Sequence, residues 1–126
     1  GVLSVQDAVQ AKRLGADAVL LSNHGGRQLD GAIAPLRLLP AVCEALGDYP
    51  VLIDSGFRRG SDVLKALALG ARAVFVGRPF NYAAAVAGEA GVLHAITLLR
   101  EELDRNMAML GVTGCEQLNP DLLIRR

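Results

Sequence analysis

Apolar residues follow two rhythms along this chain. In some stretches they recur every three or four positions, the period of a helix lying on a core. In others they run unbroken for three or four residues between glycine-rich turns, the mark of a short buried strand. The first rhythm opens the chain, where Val5, Ala8, Val9 and Leu14 fall on one helical face. Ser4 precedes them as a cap, Asp7 favours the positive helix end, and Gly15 stands where a left-handed residue stops the helix. Residues 17–22 then read as a strand. Its apolar positions 18–21 are continuous, which predicts cover on both faces.

The same alternation repeats. Pro35 and Pro40 can each begin a helical turn, so one straight helix is not expected across both, and a helix over residues 40–46 is predicted. Residues 47–50 form a turn and 51–54 a second buried strand. After a basic loop, Ser61 is the expected cap of a helix with Asp62 in its first turn; Val63, Leu64, Leu67 and Ala68 are its apolar face, and Gly70 ends it. Residues 73–76 are a third strand. The remainder is helical: an Ala-rich segment over 81–88, then an amphipathic helix over 91–110 with Leu93, Ile96, Leu99, Leu103, Met107 and Leu110 as its stripe and Gly111 as its end. His94 reads as a packing or surface residue of that helix, and Asn119-Pro120-Asp121 as a turn.

One phrase occurs twice, 55 residues apart. Leu14-Gly15-Ala16-Asp17-Ala18-Val19 matches Leu69-Gly70-Ala71-Arg72-Ala73-Val74, each a helix end, a tight turn and the start of a strand. Repeated βα units with buried parallel strands indicate an α/β fold, either a barrel or a doubly wound sheet.

Composition narrows the function classes. Thirteen basic residues balance thirteen acidic ones among 126, so a general nucleic-acid footprint is not indicated and no nucleic-acid partner is expected. No apolar run reaches membrane-spanning length and no signal peptide is visible. Cys43 and Cys115 have no metal or redox spacing and are expected to be reduced packing residues; no metal is expected. A cytoplasmic protein, or one peripheral at the inner membrane, is the simplest expectation.

Each predicted strand runs into a chemically unusual loop. The first, after residue 21, places His24 and Arg27 three residues apart around two glycines. Imidazole moves protons near neutral pH, and guanidinium is the best bidentate partner for a carboxylate. The second and third loops carry Gly56 with Arg58, and Gly77 with Arg78. Their backbone N–H groups, their arginines and the N-terminus of the helix at Ser61 suggest a phosphate site. Arg59 is expected to be solvated or in a surface ion pair. Parallel βα units put all three loops at one end, where such folds hold their ligands.

Together, Ser22-Asn23-His24-Gly25-Gly26-Arg27-Gln28-Leu29-Asp30, Asp54-Ser55-Gly56-Phe57-Arg58-Arg59-Gly60 and Gly77-Arg78-Pro79 resemble, in this order and at these intervals, the FMN-dependent α-hydroxy-acid dehydrogenase and oxidase family. Its members act on acids such as lactate, mandelate and glycolate. The resemblance implies a (β/α)8 TIM barrel, of which this chain would be a C-terminal part: about three βα units, strands six to eight, plus the C-terminal helices. It implies FMN as cofactor. His24 matches the catalytic base and Arg27 the arginine that holds the substrate carboxylate. Ser22 matches a residue near the flavin ring. Asp54, Ser55, Gly56 and Arg58 match the loop around the FMN ribityl and phosphate, and Gly77 and Arg78 the second phosphate loop.

The implied reaction is oxidation of an L-2-hydroxy acid of the lactate or mandelate type to the 2-oxo acid. Its electron acceptor would be a quinone, a cytochrome or oxygen, and the intact enzyme would be a homo-oligomer, a tetramer by analogy. Such a barrel needs about 250 residues. The family's lysine near the flavin would fall just before Gly1, and a second substrate arginine is expected upstream. Ser55 stands where glycolate oxidases have glycine, so Asp54-Ser55-Gly56 is more similar to the lactate and mandelate dehydrogenases. Two alternatives stay open: a chain that does no catalysis by itself, and another FMN- or phosphate-binding barrel such as a flavin-dependent isomerase.

Overall fold

The structure is a computed structural model and describes residues 1–124. Three βα repeats build it. In order they are α1 (Val5–Arg13), β1 (Val19–Leu21), α2 (Pro35–Leu46), β2 (Val51–Ile53), α3 (Gly60–Ala68), β3 (Ala73–Val74) and α4 (Arg78–Leu110). Short 3-10 turns at His24–Gly26, Cys115–Gln117 and Pro120–Leu122 complete them. The strands are parallel and lie in sequence order, Leu20 opposite Leu52 and Leu52 opposite Ala73. Val2 adds an isolated parallel bridge to Leu21 on the outer side of β1.

All three connecting helices cover one face of this sheet. Val19, Leu21, Val51 and Ile53 are buried against Ala8 of α1, Leu39, Val42 and Leu46 of α2, and Ala66 of α3. Sequential parallel strands with helices on one face are the arrangement of neighbouring units around a barrel.

The strands differ from expectation in length and cover. Each is shorter than predicted, and burial alternates along β1 and β2. Leu20 and Leu52, on the second face, are half-buried, and Phe75, two residues past Ala73, is 53% exposed. Unbroken hydrophobicity predicts cover on both faces. Among the described residues, one face has it.

Local rules hold at α1: the Ser4 Oγ accepts the Asp7 N–H at 3.0 Å. They give way at α2, which is continuous from Pro35 through Pro40. Pro35 occupies the first helical position, where no N–H is required, and Pro40 removes one internal bond. Burial of Pro35, Leu39, Val42 and Leu46 along one side outweighs that loss. At α3 the cap is Arg59 and the helix begins at Gly60, so Ser61 lies inside it. The early start comes from Glu102, whose Oε2 accepts the Gly60 N–H at 3.0 Å.

The predicted break between the last two helical segments is real. α4 changes direction at Ala87 and Gly88, which leave helical geometry. Beyond it, Leu103 and Met107 pack on Leu64 and Ala68 of α3, while Leu93 and Ile96 of the same stripe are exposed. One correction concerns hydropathy. Inside α4 an 18-residue window has mean hydropathy 1.4, enough by length and composition to cross a membrane. Its alanines and glycines conceal it from a reading by bulky residues. Of the cysteines, Cys43 packs against the main core, its thiol pKa raised by burial. Cys115 is exposed, so it is not the packing residue expected.

Candidate functional site

The first loop leaves β1 through a sharp turn. Asn23 shapes it, its Oδ1 accepting the Gly26 N–H at 3.1 Å and its Nδ2 donating to the Ile33 carbonyl at 3.3 Å. His24 is held at φ 55, a left-handed conformation uncommon for a residue with a side chain. Ser22 supports it from beneath: its Oγ accepts the His24 N–H at 3.0 Å. Among the described residues nothing is hydrogen-bonded to the His24 imidazole or the Arg27 guanidinium, and both residues are exposed.

In the second loop, Ser55 is the other side-chain-bearing residue in the left-handed region, at φ 75. Such conformations cost of order 1–3 kcal/mol and cluster at functional sites. Its Oγ donates to Asp54 Oδ1 at 2.6 Å and accepts the N–H groups of Asn23 and Gly25, each at 3.2 Å. Gly56 follows at φ 88, with open space where a Cβ would stand. Phe57 is buried and anchors the loop in the core.

The loop's far end is tied down by carboxylates. Asp62 Oδ2 accepts the Arg58 and Arg59 N–H groups, each at 3.1 Å. Glu102 of α4 accepts Arg59 Nε and pairs with Nη2 at 3.0 Å. The surface ion pair expected of Arg59 is therefore present. Hydrogen bonds from Arg59 and the Gly60 N–H hold the Glu102 carboxyl below the usual glutamate range. The start of α3, expected to face an anion, instead gives these N–H groups to the protein's own carboxylates.

The third loop closes the arrangement. Arg78 begins α4 and reaches back across the sheet end, its Nη2 donating to the Gly25 carbonyl at 3.0 Å. Gly77 beside it has open space at its Cβ position.

These loops enclose one cavity of about 360 Å³, lined by His24, Arg27, Asp54, Ser55, Gly56, Arg58, Gly77 and Arg78. Eight of the nine residues expected at the site thus meet. Ser22 is not in the lining and acts from behind His24. Asn23 stands in the first motif without a role assigned from sequence, and the wall residues Phe75 and Asn81 lie outside the motifs. An asparagine before a glycine-rich turn is a signal for Asn23. Phe75 and Asn81 have no comparable mark.

Three arginines and a histidine face a single carboxylate here, an electrostatic setting for an anion. The open space at Gly56 and Gly77 lets a ligand lie against backbone. Arg58 and Arg78 beside these glycines could hold a phosphate-bearing cofactor, and His24 with Arg27 could hold a small carboxylate.

Comparison with known proteins gives the family. The family description "FMN-dependent dehydrogenase" matches residues 1–125. An (S)-mandelate dehydrogenase of Pseudomonas putida is 53% identical over 98% of this chain and 31% of its own length. An L-lactate oxidase of Nostoc sp. is 49% identical over 98% of the chain and 34% of its own. Among solved structures, the monotopic membrane protein (S)-mandelate dehydrogenase superposes with a TM-score of 0.97 at 52% identity, covering 100% of this chain and 34% of that one. A mutant flavocytochrome b2 with pyruvate bound gives 0.93 at 47% identity, over 97% and 32%. The chain spans about a third of the length of these relatives. Barrel geometry, the matched motifs and these likenesses lead to one conclusion: the chain belongs to the FMN-dependent dehydrogenase family, with FMN as the cofactor and a TIM barrel as the fold.

Proposed function

We propose that the protein carrying this chain oxidises an L-2-hydroxy acid of the lactate or mandelate type to the corresponding 2-oxo acid, with FMN. The chain supplies strands six to eight of the barrel. The observation that carries this reading is the shared cavity: a histidine and an arginine without protein partners among the described residues line it together with two further arginines and two glycines.

The residues divide the work. Arg27 orients the substrate through its carboxylate, in fork geometry. His24 accepts a proton from the substrate; a positioned base of this kind is worth about 10²–10⁴-fold in rate. Gly56, Arg58, Gly77 and Arg78 would hold the cofactor's phosphate end, and Asp54 would bind its polar chain. When bound, FMN takes up the two electrons that the hydroxy acid loses. A product-bound relative supports the assignment, since pyruvate is the 2-oxo acid of lactate. The monotopic membrane relative supports a location at a membrane surface.

Dye reduction by the FMN-loaded full-length protein tests this. L-lactate or (S)-mandelate should drive it, and the simple alcohols lacking the carboxylate should not. Equal rates with and without the carboxylate would remove Arg27 from its role.

A further inference from the structure

We infer that Ser55 is a positioning residue, a latch that fixes the loop bearing His24 and Arg27 to the loop bearing Gly56 and Arg58. The inference rests on the proposed function for its kinetic consequence and on the hydrogen bonds alone for its structural one.

A serine hydroxyl has one proton to donate and two lone pairs to accept with. The Ser55 proton goes to Asp54 Oδ1 at 2.6 Å. The lone pairs take the N–H groups of Asn23 and Gly25. No capacity is left for a ligand, although the residue lies in the cavity wall. The two N–H groups it grips are those of the residues immediately before and after His24. The histidine, itself in a left-handed conformation, is thereby clasped on both sides.

Conformation points the same way. At φ 75 a glycine would fit without strain. A serine there is explained by its hydroxyl, which joins two loops that the chain separates by 30 residues. Arg78 secures the other end of the same residue, at the Gly25 carbonyl. Asp54, bonded to the latch, couples it to the cofactor side of the cavity.

Ser55→Gly is the decisive variant, because it relieves the backbone, keeps the loop path and removes the latch. Ser55→Ala is its partner. In the FMN-loaded full-length protein, kcat should fall about tenfold or more, since small misplacement of a reacting group is costly. The pH profile of kcat/KM should shift, while the FMN Kd, read by fluorescence titration of apoprotein, stays within about threefold. Amide hydrogen exchange of the peptide spanning residues 22–27 should quicken, whether or not the protein turns over. Unchanged exchange would overturn the latch. So would weakened FMN binding with an unchanged kcat at saturating FMN, which would make Ser55 a cofactor ligand instead. Absence of hydroxy-acid turnover in the unmodified protein would count against the proposed function, and exchange would still decide the latch.

Discussion

His24 and Arg27 are three residues apart in sequence, and the turn between them aims both into one cavity. Replacing His24 with glutamine keeps size and hydrogen-bonding capacity but removes the base. In the full-length protein kcat should drop by about 10²–10⁴-fold with FMN still bound, as stopped-flow kinetics and the flavin spectrum would show. Arg27→Lys keeps the charge and loses the fork, so kcat/KM should fall about 10–100-fold, the worth of one charged hydrogen bond. Residue types and their spacing make this pair legible in the sequence. The Ser55 hydroxyl and the Arg78 guanidinium are not legible in the same way. Their contacts to Gly25 bridge 30 and 53 residues and exist only because parallel register brings three strand ends together.

At the scale of elements, the seam between α3 and α4 holds the second loop. Gly60 makes it possible: a Cβ there would lie 2.5 Å from the Leu103 nitrogen and 2.7 Å from the Leu99 carbonyl oxygen. Gly60→Ala must push the helices apart, and overpacking of this kind costs about 1–3 kcal/mol, measurable by denaturant unfolding. Glu102 crosses the same seam. Its pKa is lowered in the folded state, so its contribution is full above the ordinary glutamate range and is lost as pH falls through the lowered value. The stability gap between the unmodified protein and Glu102→Gln should therefore close as pH falls from the ordinary glutamate range through the lowered value. A gap that widens on acidification would reverse the assignment. Helical periodicity and capping rules locate these elements, and the charge of Arg59 in a basic loop suggests an ion pair. Its partner, 43 residues away, and the continuity of α2 through Pro40 depend on packing that no local pattern encodes.

For the whole molecule, the sheet has one face under helices and a second face that is half-open along Leu20, Leu52 and Phe75. Apolar runs predict burial on both sides, which is what a closed barrel supplies from its other strands. The 126-residue chain alone, given FMN and L-lactate without oxygen, should accordingly leave the flavin oxidised. Bleaching in that mixture would show that three βα units suffice. The site's cationic polarity follows from loops gathered at one end of the sheet. That gathering is legible in the succession of three strand-loop pairs. The central claim is that His24 and Arg27 act on a 2-hydroxy acid beside FMN. Anaerobic mixing of the FMN-loaded full-length protein with L-lactate and with (S)-mandelate, followed by flavin absorbance, tests it most directly. Rapid bleaching is expected with at least one of them, and about 10²–10⁴-fold slower bleaching in His24→Gln. A flavin that stays oxidised with both acids, or bleaches equally fast without the histidine, would contradict it.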